Sequence, residues 1–199
     1  MADFALEAEL LKRNHRFICG LDEVGRGCLF GPVVAGAVIL DPANLNREYD
    51  DSKKLTPRQR LQLARDIYEK ALAYSIGWCW NDEIDRRHIV AATKHSMRQA
   101  FRRLQIRPDY VLIDAIGPDF LPCRGRAVVK GDEKSLSIAA ASIIAKVFRD
   151  QLLDGFSRYF PEFDLAQNKG YPTQNHRNML LFKGETVFHR KSFKLKDGC

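Results

Sequence analysis

Apolar and polar positions follow two different periods along the chain. Residues 17–22, FICGLD, and residues 32–40, PVVAGAVIL, are apolar runs of strand length, separated by a glycine-rich turn. Residues 73–80 alternate well enough to form a third strand. Residues 109–114, DYVLID, make a short apolar run of the kind buried on both faces of a sheet, and residues 126–130 are a fifth strand candidate. Helical spacing predicts a short amphipathic helix over 3–12. Thr56 followed by Pro57 supplies a cap and a first-turn proline for a helix to about Ala71. Asn81 is expected to cap a long helix in which Val90, Met97, Phe101 and Leu104 recur, with Pro108 closing the segment. A second long helix is expected over 135–159. It opens on small residues (Ala139, Ala140, Ala141, Ser142) that permit close packing on a sheet. A last helix starts near Thr173, and the tail from Phe188 reads as irregular.

This order predicts an α/β fold. The first three strands can form an antiparallel meander. The later two need crossovers and should lie parallel to the first. The result is a mixed five-stranded sheet flanked by helices. Residues 1–160 are expected to form the catalytic core, and residues 161–199 a helical C-terminal extension and tail packed on it.

With 199 residues the chain is long enough for a sizeable core, and its 45% hydrophobic and 29% charged content is that of a soluble globular protein. Its apolar runs are too short for a membrane span, and its acidic, helix-patterned start is unlike a secretory signal. The five cysteines include no CxxC pair. That argues against zinc or a disulfide framework and for reduced thiols in the cytoplasm. The formal net charge of +7 favours an anionic partner, nucleic acid first.

Against that basic background stands an acidic constellation. Asp22 ends the first strand, with Glu23 beside it, and Gly25, Arg26 and Gly27 follow at once. Asp114 ends the fourth strand, and Asp132 lies just after the fifth. If the first and fourth strands are parallel neighbours, Asp22 and Asp114 leave the sheet at one edge, where open α/β sheets place their ligands. Four converging carboxylates repel one another unless a cation neutralises them, and an all-oxygen set selects Mg²⁺ or Mn²⁺ over zinc. Taken singly, each aspartate is also an ordinary cap or turn residue. Asp132 is the one for which that plain reading is strongest.

Six segments in register, DEVGRG at 22–27, GPVVAGAVIL at 31–40, DSKKLT at 51–56, VLID at 111–114, KGDEKSLSIAAASIIAKVFRD at 130–150 and KGYPTQNH at 169–176, resemble bacterial ribonuclease HII. The resemblance runs from about residue 17 to 193. It implies a ribonuclease H-like fold. It also implies a Mg²⁺- or Mn²⁺-dependent endonuclease that cuts RNA in RNA–DNA hybrids and cleaves 5′ of single ribonucleotides in duplex DNA. Two-metal catalysis would leave a 3′-hydroxyl and a 5′-phosphate. The family's metal-binding carboxylates map onto Asp22, Glu23, Asp114 and Asp132. Its 2′-OH-reading motif maps onto Gly25, Arg26 and Gly27, and its junction-reading tyrosine onto Tyr171. Physically, glycines let main chain approach a sugar closely, and the 2′-OH is the group that marks RNA.

Three residues near these motifs depart from the family pattern: Cys28 stands for the usual proline, Phe30 for alanine and Ala115 for glycine. They put loop geometry in question and leave the ligand set intact. Lys53, Lys54, Lys146, Lys169, Arg190 and Lys191 are candidates for backbone phosphate contacts, though each is equally an ordinary surface cation. Asp150 is read as a structural charge, His176 as a packing or phosphate residue, and Ser135 and Ser142 as helix-start and packing residues. A monomer is the expected state. A sliding-clamp partner occurs in parts of the family, but the tail carries no clear clamp-binding peptide. Two alternatives stay open: another nuclease of the same fold, such as a junction resolvase, or a non-catalytic nucleic-acid-binding module.

Overall fold

The computed structural model describes residues 2–193. One five-stranded sheet runs in the order β3-β2-β1-β4-β5. Its strands are β1 (Ile18–Val24), β2 (Val33–Ile39), β3 (Ala73–Cys79), β4 (Tyr110–Asp114) and β5 (Gly125–Val128). β1, β2 and β3 form the antiparallel meander, and β4 and β5 extend the sheet in parallel with β1. The expected α/β architecture is the one observed. The helices are α1 (Ala5–Lys12), α2 (Pro57–Lys70), α3 (Asn81–Arg103), α4 (Leu136–Ser157), α5 (Leu165–Asn168) and α6 (Gln174–Lys183).

The two sheet faces are covered separately. Leu21, Ala35, Ala37 and Ile39 pack with Met97 and Ala100 of α3, whereas Val38 packs with Ala140, Ala141 and Ile144 of α4. Glycine fixes how close the helices lie. A Cβ on Gly20 would meet the Ser137 backbone at 2.1 Å, and one on Gly36 would meet the Ala141 carbonyl at 2.2 Å. On the other face, a Cβ on Gly77 would meet the Ser96 carbonyl at 2.1 Å. The small-residue start of α4 and these bare strand positions are two halves of one contact.

Helix α1 ties to the start of α4 through a buried carboxylate. Glu7 Oε1 accepts from the Ser135 hydroxyl at 2.5 Å and from the Ser137 amide at 3.0 Å. Ser135 is itself the cap, accepting from the Ile138 amide at 3.2 Å, as its position suggested. Thr56 and Gln59 form a reciprocal capping box on α2, with Pro57 in the first turn.

Three local expectations are corrected. Asn81 does not cap α3. Trp80 occupies the cap position, and the Asn81 amide instead donates to the Val187 and His189 carbonyls at 2.9 and 3.1 Å, a tertiary demand invisible in local sequence. α3 is also interrupted, because His88 has φ 64° and ψ 154°. β5 ends at Val128, two residues early, because Lys130 turns left-handed (φ 54°) into the short 3-10 turn Gly131–Glu133.

The packing makes a paired prediction. Gly36→Ala should cost roughly 2–3 kcal/mol, since a backbone carbonyl cannot yield. Gly155→Ala, at a helical position with open space, should gain roughly 0.5–1 kcal/mol. Urea unfolding of both variants checks this, and equal effects would refute the close-approach account.

Candidate active site

Strand register sets the site. Leu21 pairs with Ile113 across the parallel β1–β4 ladder, so Asp22 and Asp114 follow side by side at one sheet edge. Asp22 pairs with Gly36 and therefore shares the α4 face. There Ser142 of α4 hydrogen-bonds the Asp22 carboxylate, and its hydroxyl lies 3.0 Å from that of Ser52. Asp22 Oδ1 accepts from the Glu23 amide at 2.7 Å. Asp114 Oδ1 accepts from the Gly131 amide at 2.6 Å, which pins the turn bearing Asp132 to the end of β4.

The carboxylates are costly to keep charged. Burial, then the neighbouring Glu23, pushes Asp22 well above the usual carboxylate range, with Asp114 adding repulsion. Burial also raises Glu23, against the opposing pull of Arg26. Asp132 is raised by burial and by Asp51 and Asp114. Glu23 Oε2 is buried without a hydrogen-bond partner. Its other oxygen, Oε1, lies 3.2 Å from Arg26 Nη1.

Among the described residues no three carboxylate, histidine or cysteine groups stand placed to hold a metal ion. The carboxylates line an open edge. The chemistry of the donor set still suits hard divalent cations: all its candidate donors are oxygens, one is an orphaned buried oxygen, and the negative charge is mutually repulsive.

The residues expected to read substrate face the same opening. A cleft of about 180 Å³ is lined by Asp22, Glu23, Gly25, Arg26, Gly27, Ser52, Lys53, Ser142, Lys146 and Tyr171. Gly25 has φ 88°, which glycine adopts without strain, and nothing lies within 4 Å of a Cβ built on Gly27, so that backbone is open to approach. Tyr171 is 37% exposed, and burial raises its phenol to about 12. Lys146 Nζ lies 5.9 Å from the Tyr171 ring centroid and 2.6 Å from Asp150 Oδ1. A neighbouring hollow of about 520 Å³ shares Lys146 and Tyr171 with the cleft and reaches Lys169.

The candidate cations divide sharply. Lys53 Nζ is 4.0 Å from Asp132 Oδ2, with its side chain largely exposed, and Lys54 pairs with Glu133 at 2.8 Å. Lys169 pairs with Asp154. The expectation that Arg190 meets phosphate is corrected: it is 2% exposed, and all of its nitrogens donate to main-chain carbonyls. Lys191 is held through its backbone amide, which donates to Asp85 Oδ2 at 3.1 Å. Asp150 is a structural charge between Lys146 and Arg60. His176 is fully buried, bonded to the Tyr171 carbonyl at 3.0 Å and to His189 at 3.1 Å, so it packs and meets no phosphate. Sequence reasoning missed Ser52, Asp51 and Arg149. All three lie inside quoted motif segments, Asp51 and Ser52 in DSKKLT and Arg149 in the α4 segment, and Arg149 also stands out as an arginine amid the apolar spacing of that helix.

Comparisons with known proteins agree with this fold. The profile of a family described as Ribonuclease HII matches residues 19–196. The chain is 48% identical over 182 residues to the ribonuclease HII of Vibrio vulnificus, covering 92% of this chain and 88% of that protein. Among solved structures it superposes on the ribonuclease H2 from Pyrococcus horikoshii with TM-score 0.77 and 27% identity, covering 90% of this chain and 94% of that one. It also superposes on the ribonuclease HII of Archaeoglobus fulgidus, solved in complex with PCNA, with TM-score 0.75 and 25% identity over 92% of this chain and 98% of that one.

The raised Asp22 carboxyl generates a prediction with a definite sign. An acid whose folded pKa lies above its unfolded value contributes stability below the unfolded pKa and loses it as pH rises through the folded one. In EDTA at pH 8, Asp22→Asn should therefore melt above the wild type by roughly 2–4 °C or more. The gap should shrink as pH is lowered and the wild-type carboxyl protonates. Circular dichroism melts between pH 5 and 8 measure it, and a destabilised Asp22→Asn protein at pH 8 would contradict the assigned repulsion.

Proposed function

Because the chain belongs to the ribonuclease HII family, and is thus a ribonuclease H enzyme, we propose that it hydrolyses the RNA strand of RNA–DNA hybrids. We further propose that it cuts 5′ of single ribonucleotides embedded in duplex DNA, leaving a 3′-hydroxyl and a 5′-phosphate. The observation that carries this reading is the shared cleft: Asp22 and Glu23 line the same opening as Gly25, Arg26, Gly27 and Tyr171.

In this reading Asp22, Glu23, Asp114 and Asp132 hold two divalent cations, Mg²⁺ or Mn²⁺. Bound there, such ions would neutralise the carboxylates, activate water and stabilise charge on the phosphate and the leaving oxygen. The chain's own residues do the selecting. The open backbone at Gly25 and Gly27 reaches the sugar closely enough to donate to or accept from a 2′-OH, while Arg26 stands beside Glu23 to meet the adjacent phosphate. The Tyr171 ring offers a flat face to the deoxyribose on the far side of the junction. Lys53 and Lys146, at the cleft, and Lys169 beside it, position the backbone without reading sequence. His176 cannot serve as a base towards substrate, since both its nitrogens are engaged inside.

Residues 1–160 act as the catalytic core in this account, and the extension from 161 contributes Tyr171. The working state is a cytoplasmic monomer. No helix among the described residues is long and apolar enough to cross a membrane. A clamp-binding tail would fall on residues 194–199, outside the described part of the chain.

The test is a gel on three labelled substrates with and without Mg²⁺: a duplex with one ribonucleotide, a continuous RNA–DNA hybrid and an all-DNA junction. The first two should be cut and the third left intact. Asp22→Asn and Asp114→Asn should each lower kcat about 10³-fold or more. Cutting of the junction alone, or full activity in either variant, would refute the assignment. Tyr171→Ala should lose about tenfold more activity on the single-ribonucleotide duplex than on the continuous hybrid, measured as kcat/KM.

A further inference from the structure

Two guanidinium groups lie beneath the cleft, and the chemistry above uses neither. Arg149, on α4, is fully buried. Its Nε donates to the Pro32 carbonyl at 3.0 Å, Nη1 to Lys169 at 2.7 Å and Nη2 to Phe30 at 2.9 Å. Arg190 donates from Nε to the Gly31 carbonyl at 3.0 Å, from Nη1 to Arg26 at 2.8 Å and from Nη2 to Gly25 at 2.7 Å. Five of the six acceptors thus belong to the stretch 25–32. The sixth, Lys169, immediately precedes Gly170 and Tyr171.

The two segments have little room to move against each other. The Leu29 amide donates to the Gly170 carbonyl at 2.8 Å. A Cβ on Gly25 would lie 2.2 Å from Arg149 Nε, and one on Gly170 would lie 2.9 Å from the Phe30 carbonyl. The Cys28 thiol contacts the Lys169 carbonyl at 3.7 Å and hydrogen-bonds the Tyr171 side chain. Among the described residues neither guanidinium has a carboxylate within ion-pair distance. Burying two like charges without counterions is expensive, so their placement needs a reason beyond filling space. A planar fork with fixed donor directions is the group suited to hold several carbonyls at set angles, and a lysine ammonium cannot copy it.

We propose that Arg149 and Arg190 form a guanidinium clamp that fixes the 25–27 loop against the 169–171 turn and so sets the gap in which the ribonucleotide junction is read. They are positioning residues, acting through Gly25, Arg26 and Tyr171. The proposal rests on the functional reading above.

The test compares kcat/KM on the single-ribonucleotide duplex with kcat/KM on the continuous hybrid, for the Mg²⁺-loaded wild type, Arg149→Lys and Arg190→Lys. Simple loss of folded protein lowers both values equally and cancels in the ratio. Each folded variant should lower the ratio about tenfold, chiefly through KM on the single-ribonucleotide duplex. An unchanged ratio in a folded variant overturns the clamp. A second measurement needs no variant: native-state hydrogen exchange of the wild type. The amides of Leu29, Gly31 and Tyr171 should open as one cooperative unit with a common free energy, and independent opening of the two segments overturns the proposal. A wild type that does not cut the single-ribonucleotide duplex would instead refute the functional reading, while the exchange data would still judge the clamp.

Discussion

Everything at this site hangs from the closeness of α4 to the sheet. Gly20 and Gly36 leave no side chain between strand and helix, and the Ser137 and Ala141 backbone fills the space that a Cβ would need. That seating places one face of α4 in line with the cleft. Ser142, Lys146 and Arg149 fall at spacings of four and three, so they project from the same side of the helix. Ser142 meets Asp22, Lys146 stands over the Tyr171 ring, and Arg149 grips the loop behind Gly25. One turn of the helix serves the carboxylates, and the next serves the residues proposed to read substrate. A shift of α4 by an ångström would disturb both together.

The electrostatic arrangement divides along the same line. Carboxylates cluster at the ends of β1 and β4, where burial and mutual repulsion raise Asp22 and Glu23. Unpaired guanidiniums lie a short way behind, so much so that burial lowers Arg190 to about 10. Among the described residues, the guanidiniums have carbonyl partners for every nitrogen but no counterion, whereas Glu23 keeps one carboxylate oxygen without a partner. A basic chain holding an acidic edge over a buried cationic floor is stable only because the apolar core bears the cost. Its acidic edge is complemented best by cations, while the buried guanidiniums are already engaged with main-chain carbonyls.

Local patterning made most of the architecture legible. All five strands were visible as apolar or alternating segments, and the crossover rules gave their directions correctly. The carboxylates on β1 and β4 could be brought together because parallel neighbours end at one edge, and the observed Leu21–Ile113 register does this. What stayed hidden depends on contacts distant in sequence. Asn81 looked like a cap because its local context favoured one, yet its amide is used by the chain near 187–189. Arg190 looked like a surface cation in a basic tail, but that tail folds back. The Phe30–His189 bridge and the Gly31 amide bonded to the Phe188 carbonyl carry Arg190 under the loop. His88 and Lys130, with positive φ, carry no side-chain chemistry that announces a break.

The three residues that depart from the family pattern become physically intelligible here. Ala115 sits left-handed at φ 52°, a conformation costing an alanine about 1 kcal/mol that glycine would not incur. It directly follows Asp114, so the chain tolerates strain next to a carboxylate. Phe30 fills the centre of an aromatic cluster, edge-on to Phe156, Phe160 and His189. A smaller residue would leave a void under the tail that delivers Arg190. Cys28 donates its amide to the Gly25 carbonyl at 3.4 Å and places its thiol against Tyr171, and a proline could supply neither bond. A proline there would stiffen the loop through its own ring. With Cys28 the loop takes its shape from hydrogen bonds, and the buried guanidiniums supply the rigidity that the backbone itself lacks.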